Sequence, residues 1–133
     1  MDKCSSIILC KSVDLTGGLP TLVGVTRKVL AESYPAMYGL AVFAEAALSP
    51  GERRITWLIR ESSGEVLAGG SGIVDVPEVL ETVAVTQRLE VLLPREGFYS
   101  ADLVIDGATI GSRDFVAATR PRDTKVNRAG TKT

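Results

Sequence analysis

Between Gly97 and Phe115, apolar and polar residues alternate on either side of Asp106-Gly107, the pattern of a β-hairpin. Asp-Gly suits a two-residue type I′ turn because both central residues take φ > 0. That turn sets a register. Ile105 faces Ala108, Leu103 faces Ile110 and Ala101 faces Ser112 on one side of the ribbon. On the other, Val104 faces Thr109, Ser100 faces Arg113 and Phe98 faces Phe115, with Asp102 diagonal to Arg113 for a surface ion pair. A slip of one residue would exchange the faces, so the pattern specifies the pairing.

The same period of two recurs upstream. Arg53–Glu61 puts Ile55, Trp57 and Ile59 opposite Thr56, Leu58 and Arg60, and Thr82–Leu93 puts Val83, Val85, Gln87, Leu89 and Val91 on one side. Cys4–Ser12 and Thr21–Leu30 read as strands joined by the turn-rich Gly17-Gly18-Leu19-Pro20. Gly24 inside the second marks a bulge or the close approach of another element. Ala31–Ala36 is a loop, because Pro35 turns Tyr34 away from helical geometry. Tyr38–Leu48 is Ala-rich enough for a helix, yet Leu40, Val42 and Ala44 alternate with Ala41, Phe43 and Glu45; a strand is favoured because neighbouring strands need a partner. Glu65–Val76 is interrupted by Gly69-Gly70-Ser71-Gly72, which predicts a bulge or a crossover between sheets. Pro77–Leu80 is a short connection with room for one helical turn. About eight short strands result, the pattern of an all-β chain folded as a single antiparallel β-sandwich. Residues 1–116 form that domain. Residues 117–133 lack a period and read as a flexible, mobile basic C-terminal tail.

Composition sharpens this picture at three points. Aromatic residues are only 5% against 45% hydrophobic, so aliphatic side chains fill most of the core. The net charge of −1 conceals a tail of about +4, in which Arg120, Arg122, Lys125, Arg128 and Lys132 outnumber Asp123, on a body of about −5. A mildly acidic body disfavours a dedicated nucleic-acid binder, leaving the tail either to solubility or to charge-driven contacts. Cys4 and Cys10 lie about 20 Å apart along one strand and cannot bond to each other, which suits a reducing compartment. With no secretory signal and no apolar run near the ~20 residues that span a bilayer, a cytoplasmic chain without membrane contact is expected.

Ile7-Ile8-Leu9-Cys10-Lys11-Ser12-Val13, Gly18-Leu19-Pro20-Thr21-Leu22-Val23-Gly24-Val25 and Tyr34-Pro35-Ala36 form the amino-terminal part of a further pattern. Arg88-Leu89-Glu90-Val91, Pro94-Arg95-Glu96-Gly97-Phe98-Tyr99 and Val104-Ile105-Asp106-Gly107 complete it. Together they resemble an uncharacterised bacterial family of short proteins known only as a domain of unknown function, over about residues 4–116. The resemblance implies a bacterial origin and an immunoglobulin-like β-sandwich. It brings no catalytic or ligand-binding residue.

Chemistry is sparse. Histidine is absent, which removes the default general base near neutral pH and the commonest zinc ligand. The glycine clusters match neither a phosphate loop nor a dinucleotide fingerprint. Asp102, Asp106, Asp114, Glu65 and Asp75 are explained by strand and turn positions rather than by a calcium site. No catalytic residue, metal or cofactor is assigned. Trp57 is expected to plug the core, and Tyr99 to form a tyrosine corner. Phe98, Val104 and Phe115 on one face of the ribbon are the candidate interaction surface, either exposed as an apolar patch or covered by another element. The expectation is a non-enzymatic binding or scaffold module of unknown partner, acting through a sheet face or edge and self-associating into a homo-oligomer. A carboxylate-dependent enzyme and a nucleic-acid-associated protein working through the tail are the alternatives.

Overall fold

The computed structural model describes residues 2–77 and 82–120. Ten strands lie within them: β1 (Lys3–Cys10), β2 (Ser12–Asp14), β3 (Thr21–Val23), β4 (Lys28–Ala31), β5 (Ala36–Ala47), β6 (Gly51–Glu61), β7 (Val66–Val76), β8 (Thr82–Leu93), β9 (Gly97–Ile105) and β10 (Ala108–Thr119). One sheet has the order β1-β5-β8 and the other β4-β10-β9-β6-β7, while β2 and β3 pair as a small hairpin of their own. The two larger sheets face each other as an all-β sandwich.

Alternation builds the space between them. Ile55, Trp57 and Ile59 of β6, Tyr99, Ala101, Leu103 and Ile105 of β9, and Leu40, Val42 and Ala44 of β5 all point inward and are buried. Each large side chain removed from water in this way contributes roughly 1.5–3 kcal/mol. Trp57 is the core plug expected of it. Among the described residues its indole Nε1 has no hydrogen-bond partner. The Tyr99 hydroxyl donates to the Arg95 carbonyl, and the two rings of Tyr99 and Phe115 stack with centroids 5.6 Å apart. The tyrosine corner is therefore present, and it holds the Pro94–Gly97 turn against the first residues of β9.

Residues 38–48 are strand, since β5 pairs with β8 along its whole length, from Ala36 opposite Leu93 to Ala47 opposite Thr82. Four other expectations are corrected. The first two expected strands are each divided, giving ten in place of eight. The second divides at Gly24 (φ +71°), where a Cβ would lie 2.8 Å from Lys11 Cγ, so the backbone turns where Lys11 packs over it. Residues 69–72 do not interrupt β7, which pairs continuously from Gly72 opposite Ile55 to Gly69 opposite Leu58. Glycine is accommodated there because β7 is an edge strand with a single ladder to satisfy. The sandwich is also not wholly antiparallel: β4 runs parallel to β10. The chain reaches β4 by crossing between sheets. Thr26 N–H donates to Leu9 O (2.9 Å) in the first, and Arg27 O accepts from Val116 N–H (3.0 Å) in the second.

The strand β10 runs through Ala117–Thr119, past the boundary expected at residue 116. Arg120 N–H still donates to Ala31 O at 2.7 Å. Arg122, Lys125, Arg128 and Lys132 lie outside the described residues, as does the Pro77–Leu80 connection beyond Pro77.

Candidate functional site

The Asp106-Gly107 turn forms as the sequence requires, with φ of +49° and +86° and with Ile105 opposite Ala108 and Val104 opposite Thr109. Beyond those two pairs the register departs from expectation. A bulge at Ile110 places Gly111, not Ile110, opposite Leu103, and each later residue of β10 moves by one. Arg113 therefore faces Ala101, Phe115 faces Tyr99 and Val116 faces Phe98. One inserted residue is enough to turn every following side chain to the other face of the sheet.

The expected Phe98–Val104–Phe115 patch is divided by that shift. Phe115 lies in the core at 2% exposure, Val104 is nearly covered at 9%, and Phe98 alone stands out at 66%. Asp102 does not pair with Arg113. It is only 7% exposed on the outer face, where Oδ2 accepts from Arg60 Nε and Oδ1 from Ser112 Oγ, both at 2.7 Å. The partner comes from β6, a strand with no sequence proximity to the ribbon.

The outer face of the five-stranded sheet carries what remains. Register sets Arg60 beside Ser100 and Ser100 beside Asp114, one row across β6, β9 and β10, with Phe98 and Val116 in the next row. Arg60, Ser62, Phe98, Ser100 and Asp114 line a groove of about 360 Å³ at this end of the sheet. Ser62 N–H donates to Phe98 O (3.1 Å), tying the β6–β7 turn to the groove wall. Asp114 is exposed and, among the described residues, unpaired. The regular register expected from the turn sets Asp114 opposite Tyr99, and only the bulge aligns it with Ser100 and Arg60.

The titrating groups are tuned toward structure. Hydrogen bonds from Arg53 and from the Ser49 backbone hold the Asp2 carboxyl well below the usual range, and the Arg53 guanidinium is correspondingly raised by Asp2 and Asp106. Asp106 is lowered by the Arg54 backbone N–H and by Arg53, Glu96 by the hydroxyl and N–H of Thr119, and Asp14 by Thr16. A general acid working near neutrality needs a shift in the opposite direction. Burial pushes the Cys4 and Cys10 thiols up, away from the thiolate a nucleophile requires. Among the described residues no group of three or more Cys, Asp or Glu is placed to hold a metal, and no helix is long and apolar enough to cross a membrane. Of the basic tail residues, Arg120 is described, with its guanidinium 4.0 Å from Glu32.

No protein-family model and no curated protein matches the chain. Among solved structures, a glycosyl hydrolase family 2 member from Bacteroides cellulosilyticus is similar over 62% of this chain and 12% of its own, with a TM-score of 0.50 at 17% identity. A β-glucuronidase from glycoside hydrolase family 2 gives a TM-score of 0.49 at 14% identity over 71% of this chain and 13% of its own. An alkylpurine DNA glycosylase from Pseudomonas fluorescens, bound to DNA containing an abasic site analog, gives 0.40 at 12% identity over 87% of this chain and 30% of its own. The chain thus spans about an eighth of the length of the two hydrolases, and what it shares with the first is the fold.

Proposed function

We propose that this chain is a non-enzymatic binding module that acts through the outer face of its five-stranded sheet, with Phe98 as the anchor. The observation that carries this reading is the exposure of Phe98, 66%, at the rim of a groove flanked by Arg60 and Asp114. An aromatic side chain ringed by polar and oppositely charged groups is the composition of a protein contact: burial of the ring supplies affinity, and the rim supplies orientation. The row Arg60–Ser100–Asp114 is also self-complementary. Arg60 pairs with Asp102 through Nε, and a second copy related by a two-fold axis brings the unpaired Asp114 of one row toward the remaining N–H donors of Arg60 in the other, so the partner proposed is another copy of this chain.

Light scattering over a concentration series tests this. The wild type is expected to dimerise and Phe98→Ser to weaken the dimer at least tenfold while leaving the thermal transition in place, since Phe98 lies outside the core. A wild type that stays monomeric at every concentration, or a serine variant that dimerises unchanged, removes this face from the reading.

A further inference from the structure

The crossing segment between β3 and β4 spans the seam where β1 of one sheet lies beside β10 of the other. At one end of the seam the sheets touch: a Cβ on Gly111 would lie 3.1 Å from Cys4 Sγ and 3.2 Å from Ile7 Cδ1. At the other end Thr26 bonds to Leu9. Between these closures is a cavity of about 390 Å³, lined by Ile7, Ile8, Leu9, Val25, Thr26, Arg27 and Arg113.

Two arginines share this cavity, and the bulge is what put one of them there. Arg113 occupies an inward position of β10, in series with Phe115 and Ala117, and faces Ala101, which is fully buried. Arg27 comes from the crossing segment, whose carbonyl bonds to β10 at Val116. The guanidiniums of Arg27, Arg113 and the exposed Arg54 have no ion-pair or hydrogen-bond partner among the described residues, whereas Arg53, Arg60, Arg88, Arg95 and Arg120 all have carboxylates. Arg113 is half-buried and Arg27 exposed, and each has free donors in a fork that fits a carboxylate. The remaining walls are aliphatic apart from Thr26.

We infer that this cavity binds a small organic carboxylate, its head group held by Arg113 and Arg27 and its hydrocarbon body lying against Ile7, Leu9 and Val25. The volume falls within the range of small-molecule pockets. The site is separate from the Phe98 face and stands whether or not that face self-associates.

Hexanoate, 1-hexanol and inorganic phosphate, titrated separately into the wild-type chain by calorimetry and by two-dimensional NMR, test the assignment. Hexanoate is expected to bind and to shift the amides of residues 7–9 and 25–27, with affinity falling as the acid is shortened to butyrate and acetate. Hexanol or phosphate binding as tightly as hexanoate overturns it, the first because the cations would then be idle, the second because the apolar walls would be. Arg113→Gln should lower hexanoate affinity at least tenfold and Arg113→Lys by less, because charge without the fork is retained. Arg27→Gln, at an exposed position where folding is not at stake, should also weaken it. Unchanged affinity in Arg27→Gln and Arg113→Gln together overturns the site, and so does the absence of any hexanoate binding to the wild type.

Discussion

The sandwich closes along two seams, and a glycine sits at each, but the side chain that follows differs in charge. Where β7 meets β8, Gly70 lies under Gln87; a Cβ there would come within 2.7 Å of the amide carbon and nitrogen of that side chain. Gln87 belongs to the inward series of β8, beside Val85 and Leu89, and its neutral end lies flush against the glycine. Where β1 meets β10, Gly111 lets Cys4 and Ile7 approach, but the next inward residue of β10 is Arg113. A neutral amide tolerates loss of water if it packs closely, whereas a guanidinium requires water or an anion. The first seam keeps a smaller cavity, about 220 Å³ beside Gln87 and without a charged side chain in its lining, whereas the second keeps about 390 Å³ with two arginines. What a seam can do is thus set by the residue beside its glycine rather than by the glycine itself.

The largest test of this contrast is Gly111→Val. Its branched side chain would meet Cys4 and Ile7 at the closed end of the β1 seam, where yielding requires movement of β1 itself. Overpacking of this kind costs about 1–3 kcal/mol, and urea unfolding should show it as a lower midpoint with an unchanged slope. Unaltered stability would mean that the sheets do not close on Gly111.

A second test uses acid, because the same seam is clasped at its outer end by Arg53. Its guanidinium donates to Asp2 Oδ1 at 2.8 Å, just before β1, and pairs with Asp106 at the tip of the β9–β10 ribbon. Both carboxyls titrate below their ordinary range in the folded chain. The unfolded chain therefore takes up protons first, so the stability they contribute is complete above about pH 4–5 and is lost as pH falls through their folded range. Thermal melts of the wild type should decline steeply below about pH 4. Arg53→Gln should melt lower at pH 7 and decline less, with the two curves converging in acid; parallel curves would show that the clasp contributes nothing. The effect should be smaller than that of Gly111→Val, since Asp106 is half exposed.

Gly70→Ala makes the smallest change. The clashing atoms are the far end of a flexible side chain, so the cost should stay below about 1 kcal/mol, and pairing it with Gln87→Ala should restore wild-type stability. A large loss that the double variant does not recover would place the fault in the backbone of β7 rather than in the packing of Gln87 on Gly70.

The sequence by itself determined the features that rest on neighbouring residues: the Asp106-Gly107 tip with its first two pairs, the inward Trp57, the Tyr99 hydroxyl turned back to Arg95, and the sandwich class implied by repeated alternation. Each follows from local backbone geometry or from a period of two, which needs no knowledge of the partner strand. Tertiary structure decided where that period slips. Phe98 and Phe115 read alike in the sequence, and only the bulge at Ile110, beside the Gly111 on which β1 packs, sends one to solvent and the other to the core. The same displacement carried Arg113 inward to the seam, gave Asp102 to Arg60 and aligned Asp114 with that arginine. A bulge adds one residue to one strand, and its place is chosen by side chains packing from distant segments, so alternation along a single strand does not encode it.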